Sequence, residues 1–464
     1  MSEMSRRKML GTIGAVGAVG AGAVGAAVVL GGGSQSDGAD AGSTDDTGPG
    51  EDTGLSEDPA AEPAPRPIVF HAWEGPGGFA NGEHEGTEIS GDGHLALAAA
   101  AEEIEYTDPH TGTTRHYQAA NWTSPLTELP FGASEVIASW NATTPSGTWV
   151  EVALQGVTDT GEDTDWYVMA RWTRGDEDPD IQRGTLADQR DTRAAVHTDV
   201  LAMQNNYLLT AIRVRATLHR LSDSTQTPEI SLLGAACSAL PDEPSVPVSQ
   251  PGQAAGTVLD VPTYSQHLHK GHYPEWNGGG QAWCSPTCTA MVLDHWGLGP
   301  DAEETAWVDI PGENRPQVDH VTRYVFDYTY GGAGNWTFNT AYAAERGARA
   351  FITRLRSLRE AEEFISAGVP LICSASFTAE ELDGAGYGTN GHLLTIVGFD
   401  DDGDVVVNDP ASQDEADDSK VRVTYRRDQF ESIWLSTSGG LVYVITPADH
   451  PLPEPMDDDE PNWV

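Results

Sequence analysis

Hydrophobic and polar residues alternate through the first half of the chain, and helical spacing joins that alternation in the second half. Tyr207 to Leu221 is the clearest case: Ile212, Val214, Ala216 and Leu218 fall on one face, and Arg213, Arg215, Thr217 and His219 on the other. A period of two is that of a strand with one buried face. Ser134 to Asn141, Thr148 to Val157 and the aromatic-rich run Trp166 to Trp172 read as further strands, the first two joined by a Thr-Thr-Pro-Ser-Gly turn. Many strands, Gly and Pro turns and few helical patterns predict an all-β, jelly-roll-like sandwich. Its tryptophans, Trp73, Trp122, Trp140, Trp149, Trp166 and Trp172, are expected mainly in the core. Exposed ones would stack on sugars, so a cell-surface glycan or wall contact is kept as a partner of this unit.

The pattern changes at Ser285. Ser285 to Gly297 places Pro286 in a first helical turn, an apolar face on Ala290, Met291 and Leu293, and a glycine at the end. Asn339 to Ala348 and Leu358 to Ala367 are further predicted helices. Strands follow at Leu371 to Phe377, His392 to Phe399, Val405 to Asn408 and Val442 to Thr446. An early helix and a late antiparallel sheet predict an α+β unit.

Composition sets the boundaries between these units. Residues 1–30 hold Arg6-Arg7-Lys8 and a Gly/Ala/Val run, which resembles a twin-arginine export signal. Residues 31–67 are acidic and Pro/Gly-rich, with almost nothing to bury, and read as a disordered linker. The β unit then spans 68–240, a proline-crowded linker 241–256, the α+β unit 257–449, and a loose acidic tail 450–464. The expected location is secreted or extracellular, with a membrane anchor if the first segment stays uncleaved. Asn-X-Thr triplets at Asn121, Asn141 and Asn335 are compatible with that placement.

Charge narrows the setting. The 464 residues hold 71 Asp and Glu against 25 Lys and Arg, a formal net charge of −46, and Lys8, Lys270 and Lys420 are the only lysines. Nucleic acid is excluded as a partner by this excess. The pattern is that of salt-loving archaea, because in molar salt the Debye length of about 3 Å screens the self-repulsion.

Candidate chemistry lies in the second unit. Cys284 directly precedes a predicted helix start, where the helix dipole favours thiolate over thiol. His392 and Asp409 lie on consecutive strands of a predicted hairpin. If Phe399 pairs with Asp404, Leu394 lies opposite Asp409, and His392 sits on the same face one diagonal step away. A loop longer by one residue would put them on opposite faces. In the favourable register Asp409 accepts from one imidazole nitrogen and leaves the other to face Cys284, in the order nucleophile, base, orienter.

Val261-Pro262-Thr263-Tyr264-Ser265-Gln266, Cys284-Ser285-Pro286-Thr287, Gly391-His392 leading to Gly398-Phe399-Asp400, and Asn408-Asp409-Pro410 together resemble the papain-like bacteriocin-processing cysteine peptidases, cysteine peptidase family thirty-nine. The whole chain resembles secreted two-domain members, in which a β-rich domain precedes a papain-like peptidase domain. The resemblance implies Cys284 as nucleophile, His392 as base, Asp409 as orienter and Gln266 as an oxyanion donor, acting on a peptide or protein substrate without a cofactor. Gln266 lies eighteen positions before Cys284, a longer gap than in transporter-linked members, so Gln281 is a rival donor. Ser285 replaces the glycine usual after the cysteine and is expected to narrow the approach of a substrate backbone. No phosphate-binding Gly-Lys-Ser/Thr loop follows, so a free-standing enzyme is expected.

Other readings compete. A silent wall-binding protein on the same fold predicts a buried, unreactive Cys284, and an amidase or acyltransferase would use the same triad on another bond. His267, His269, His272 and Glu275 have metal-ligand chemistry, but with nothing nearby to close a site they read as groove lining, so no metal is expected. Cys288 packs inward or bridges to Cys373. The pattern does not specify the oligomeric state.

Overall fold

The computed structural model describes residues 66–99, 101–175, 181–241, 246–457 and 459–464. The predicted export segment and nearly all of the first linker lie outside these residues. Among the described residues, no helix is long and apolar enough to cross a membrane. The chain is mostly β-sheet with a few helices.

The first unit is built from two seven-stranded antiparallel sheets over a shared core. Glu135–Thr143 and Glu229–Ser238 form the centre of one; Thr148–Thr158 and Leu209–Leu221 form the centre of the other. The Thr-Thr-Pro-Ser-Gly turn therefore carries the chain from one sheet to the other. In Leu209–Leu221 the alternation is realised, with Ile212, Val214, Ala216 and Leu218 buried. His219 breaks the pattern: it too is buried, stacked on Trp149 with ring centroids 3.5 Å apart. Five of the six tryptophans are buried, and half-buried Trp166 lies under the Arg215 guanidinium. Among the described residues these rings offer no open platform for a sugar.

The second unit holds a six-stranded antiparallel sheet in the order Ala348–Arg354, Leu441–Pro447, Leu371–Phe377, Thr389–Phe399, Val405–Asn408, Arg422–Tyr425. The helix Cys284–His295 packs on the sheet, mainly at Thr389–Phe399. Two predicted helices shift, and Ala348, expected to end the second, lies in a strand. The first helix begins at Cys284 itself, and the second is Trp336–Glu345, begun by Asn335, whose side chain accepts from the Phe338 amide. Helices Pro316–Val325 and Arg427–Ser438 and the two edge strands were not predicted.

The two units are joined by side chains that cap a sheet edge. Ala348–Arg354 pairs on one side only, and an open edge invites non-native pairing. Asn141 closes it: its Nδ2 donates to Ala350 O at 2.6 Å and its Oδ1 accepts from Ala350 N at 3.1 Å, while Ser139 Oγ accepts from Ile352 N. Asp199 accepts from Trp336 N at 2.7 Å, and Glu345 accepts from the amide and hydroxyl of Thr144. These contacts also correct the sequon reading, because Asn141 and Asn335 are buried and hydrogen-bonded within the fold.

The acidic tail is not loose where it is described. Asn462 and Trp463 are fully buried; Asn462 Nδ2 donates to Arg354 O and Glu360 Oε2, and Trp463 packs on Phe364. One amide and one indole dock the end of an otherwise polar segment. The described part of the second linker is likewise strapped down, with Arg427 donating to Ser249 O and Ser249 N donating to Glu431.

Candidate active site

Cys284 is the first residue of its helix, with Trp283 as the capping residue. The first amides of a helix have no intrahelical acceptor, so they point along the axis toward the sulfur. Trp283 is held by its indole N–H, which donates to Trp276 O at 2.8 Å, and the Thr287 hydroxyl and amide both donate to Trp283 O. The start of the helix is thus fixed from both sides.

His392 and Asp409 meet across the hairpin by an unforeseen route. Phe399 pairs with Val405 rather than Asp404, so the loop is one residue longer than the register requires. A bulge between Ile396 and Gly398 removes the error, and Thr395 pairs with Asn408. An extra residue in one strand restores the face that the longer loop would have reversed. The result is a 2.9 Å contact between His392 Nε2 and Asp409 Oδ1. The Cys284 sulfur interacts with the same imidazole, and the contact of Nε2 with Asp409 leaves Nδ1 for it.

Asp409 is fully buried and saturated with donors. Tyr387 Oη donates to both carboxylate oxygens, Tyr425 Oη donates to Oδ2 at 2.8 Å, and Ala411 N donates to Oδ1 at 2.9 Å. Burial alone would raise the carboxyl pKa, but His392 and these donors hold it below the ordinary value. Burial would lower the His392 pKa, yet Asp409, with help from the Cys284 sulfur, brings it up to about 10. Burial also works against the Cys284 thiolate. The imidazolium and backbone hydrogen bonds from Leu393 and Ser285 outweigh it, and the thiol pKa falls below its ordinary value. Cys288, one turn further on, lacks the imidazole: burial pushes its thiol well up, and its Sγ–H donates to Leu393 O. All four cysteines are free, so Cys288 does not bridge to Cys373.

A cavity of about 410 Å³ opens over this group, lined among others by Gln266, Gln281, Cys284, Tyr330, Tyr387 and His392. Gln266 is buried, and its backbone amide donates to Pro410 O, one residue beyond Asp409. Gln281 lines the same cavity but is exposed. Ser285 does not line it. Its hydroxyl turns into the core to meet Tyr443 Oη at 2.9 Å, so the expected narrowing of the substrate path does not occur. The first unit supports one wall: buried Asp327 accepts from Thr185 N and Oγ1, from Thr329 N and Tyr330 N, and from Asn335 Nδ2, which shapes the Tyr330 turn.

Tyr387 and Tyr425 were missed from sequence, and no local pattern marks a tyrosine as a carboxylate donor. The histidine reading needs correction as well. His269 and His272 do not line a groove but turn inward onto Asp319, with Glu313 beside them; His267 does line the cavity, by Asp414, and Glu275 is exposed. The closing carboxylates come from a loop and a helix far along the chain, which spacing around the histidines could not reveal.

Comparison with known proteins agrees in outline. Residues 69–238 match the peptidase C39 N-terminal domain, and residues 258–442 match the peptidase C39 like family. No curated protein matches the chain. Among solved structures, a protein described as a C39-like peptidase from Bacillus anthracis is 17% identical over 41% of this chain and 98% of that one, with a TM-score of 0.24. A family two carbohydrate esterase from Cellvibrio japonicus is 11% identical over 50% of each chain, with a TM-score of 0.15. The xylanase 10B modules of Clostridium thermocellum are 12% identical over 42% of this chain and 31% of that one, with a TM-score of 0.16.

Proposed function

We propose that this chain, which carries peptidase C39 family domains over residues 69–238 and 258–442, is a cysteine-type peptidase acting on exported or extracellular protein at high salt. One observation carries the reading: a thiol at a helix start and an imidazole line one cavity and interact, and a buried carboxylate behind them is hydrogen-bonded to the same imidazole.

The chemistry follows from that order. Cys284 Sγ, as thiolate, attacks the peptide carbonyl carbon and forms a C–S bond. The oxyanion is stabilised by helix-start amides and by Gln266, the preferred donor because its burial and its anchored backbone fix its position in advance, whereas exposed Gln281 must be ordered first. The His392 imidazolium gives its proton to the leaving nitrogen as the C–N bond breaks. Water then attacks the thioester with His392 taking its proton, the acid product leaves, and the thiolate–imidazolium pair is restored. Asp409 holds Nε2–H and so fixes the ring with Nδ1 toward sulfur. The excess of acidic residues, the lysine scarcity and the twin-arginine-like start support the exported, salt-adapted setting.

The test is the rate of Cys284 alkylation against pH in molar salt, in the native chain and in His392→Ala, followed by peptide mass mapping. The native profile is expected to inflect below the ordinary thiol value of 9.0, and the variant's to return toward it. A Cys284 that is inert, or indifferent to His392, would overturn the reading in favour of a silent binding protein.

A further inference from the structure

A second buried constellation lies behind the cavity wall. His269 and His272 are separated by a turn at Gly271, which takes φ of +87°, and His272 N donates to His269 O at 3.0 Å. Glycine adopts that conformation without strain, and the turn directs both imidazoles to one side. His269 Nδ1 lies 2.9 Å from Asp319 Oδ2, and His272 Nδ1 lies 2.9 Å from Asp319 Oδ1. Glu313 Oε2 lies 3.8 Å and 3.6 Å from the same two nitrogens. One donor atom from each residue falls within 4.8 Å of all the others.

Two features set this group apart from an ordinary hydrogen-bonded cluster. Glu313 is only 8% exposed, its Oε1 accepts from the Arg315 amide, and its Oε2 points at the imidazoles with no hydrogen bond among the described residues. The cluster also sets two carboxylates, of which Asp319 is wholly buried, against two imidazoles, so it can offer a dication two formal negative charges. We propose that His269, His272, Glu313 and Asp319 bind one divalent transition metal ion, with Zn²⁺ best fitted to the donors. Two imidazole nitrogens select against the hard cations that prefer all-oxygen sites. Tetrahedral ligands at about 2.0–2.1 Å from an ion stand roughly 3.3 Å apart; the four imidazole–carboxylate spacings run from 2.9 to 3.8 Å, and the whole donor set lies within 4.8 Å, close enough to draw in around one ion.

Four protein ligands make this a closed, structural site. They come from the segment between Gln266 and Cys284, from the loop at Glu313 and from the first turn of the helix Pro316–Val325. A side chain at Gly279 would meet His269 O at 2.5 Å and His272 N at 2.7 Å, so the histidine turn rests directly on the backbone that leads to Cys284. His269 also packs near Trp283, the residue before Cys284, with ring centroids 6.1 Å apart. The ion staples the segment holding Gln266 and the start of the Cys284 helix to the helix Pro316–Val325.

The experiment uses the full chain, stripped with chelator in molar salt and titrated with Co²⁺. Uptake of one equivalent, with the visible absorption of tetrahedral Co²⁺ and displacement by Zn²⁺, is the expected result. Glu313→Gln, which preserves shape, and His272→Ala should each weaken Co²⁺ binding more than about tenfold, while substitution of exposed His116 to Ala should not. Hydrogen exchange over residues 266–283 should be faster in the stripped chain than in the loaded one. Absence of the saturable band, or equal affinity in Glu313→Gln and His272→Ala, overturns the proposal. Because the readout is the ion's own spectrum, a failed metal site leaves the peptidase reading standing, and an inert Cys284 leaves the metal site standing.

Discussion

Two buried histidine–carboxylate groups flank the start of the Cys284 helix, built from the same side-chain types and poised for different work. At Asp409 the carboxylate meets one imidazole, two tyrosine hydroxyls and a backbone amide, and the other imidazole nitrogen faces a thiol. At Asp319 each carboxylate oxygen meets a different imidazole, and one oxygen of a second carboxylate, Glu313 Oε2, faces the same imidazoles while its other oxygen accepts from the Arg315 amide. The first group has its carboxylate lone pairs spent on hydrogen bonds and its second imidazole nitrogen left for the thiol, as the proposed proton transfer requires. The second has donor atoms converging on one point. What surrounds the carboxylate, rather than the His–Asp contact itself, decides whether such a pair serves proton transfer or coordination.

The sharpest way to break the comparison is to remove the mobile proton. Cys284→Ala and His392→Ala are each expected to reduce peptide hydrolysis by about 10⁴-fold or more, with the fold retained by circular dichroism. Comparable activity in either variant would mean that the Asp409 group is as structural as the Asp319 group. A smaller loss is expected on the oxyanion side. Gln266→Ala should lower kcat by roughly 100- to 1000-fold, and Gln281→Ala by much less. The reverse order would transfer the role to the exposed glutamine.

The donor shell of Asp409 can be thinned one bond at a time. Tyr425→Phe keeps the ring and its stacking on Phe430 but removes a hydrogen bond to a charged group, a loss of about 1.5–3 kcal/mol in stability. The sign of its pH dependence is fixed. The folded Asp409 pKa lies below the ordinary value, so its contribution is present above that value and disappears as pH falls through the folded pKa. With one donor gone the folded pKa rises, and acid denaturation of Tyr425→Phe should begin at higher pH than in the native chain. Denaturant titrations along a pH series check both statements.

What could be read from the sequence divides along the same line between local and distant contacts. Cys284 at a helix start, and His392 and Asp409 on the two sides of one hairpin, are local patterns, so their elements could be read, although the turn placement assumed for them was one residue short. The bulge at Val397 was hidden, because the loop and strand lengths that compensate for each other leave no mark in composition. Asp319 was within reach: Pro316 at a helix start with Val318, Val321 and Val325 at helical spacing marks its helix. Its meeting with His269 is a tertiary contact that no spacing rule predicts. The tail was misjudged because charge and proline dominate its composition, whereas buried Asn462 and Trp463, with backbone contacts from Glu460, Pro461 and Val464, dock it.

The smallest predicted effect concerns a buried carboxylate that has no imidazole at all. Asp199 accepts from the Trp336 amide at the junction of the two units, and burial outweighs that bond, raising its pKa from 3.8 to about 7. It is the control that both histidine sites lack. The folded chain keeps a proton that the unfolded chain has already released, so this stabilisation is full below about pH 4 and is lost as pH rises through 7. Between pH 6 and 8 the loss is about 1.4 kcal/mol, the free energy of one pKa unit. Asp199→Asn keeps an oxygen for the Trp336 amide and cannot titrate. The stability difference between native chain and variant, measured by denaturation in molar salt at the two pH values, should therefore shift by that amount in favour of the variant at pH 8. A difference that does not change with pH would mean that Asp199 is already ionised at pH 6, stabilised by the amide at the helix start in the way His392 stabilises Asp409.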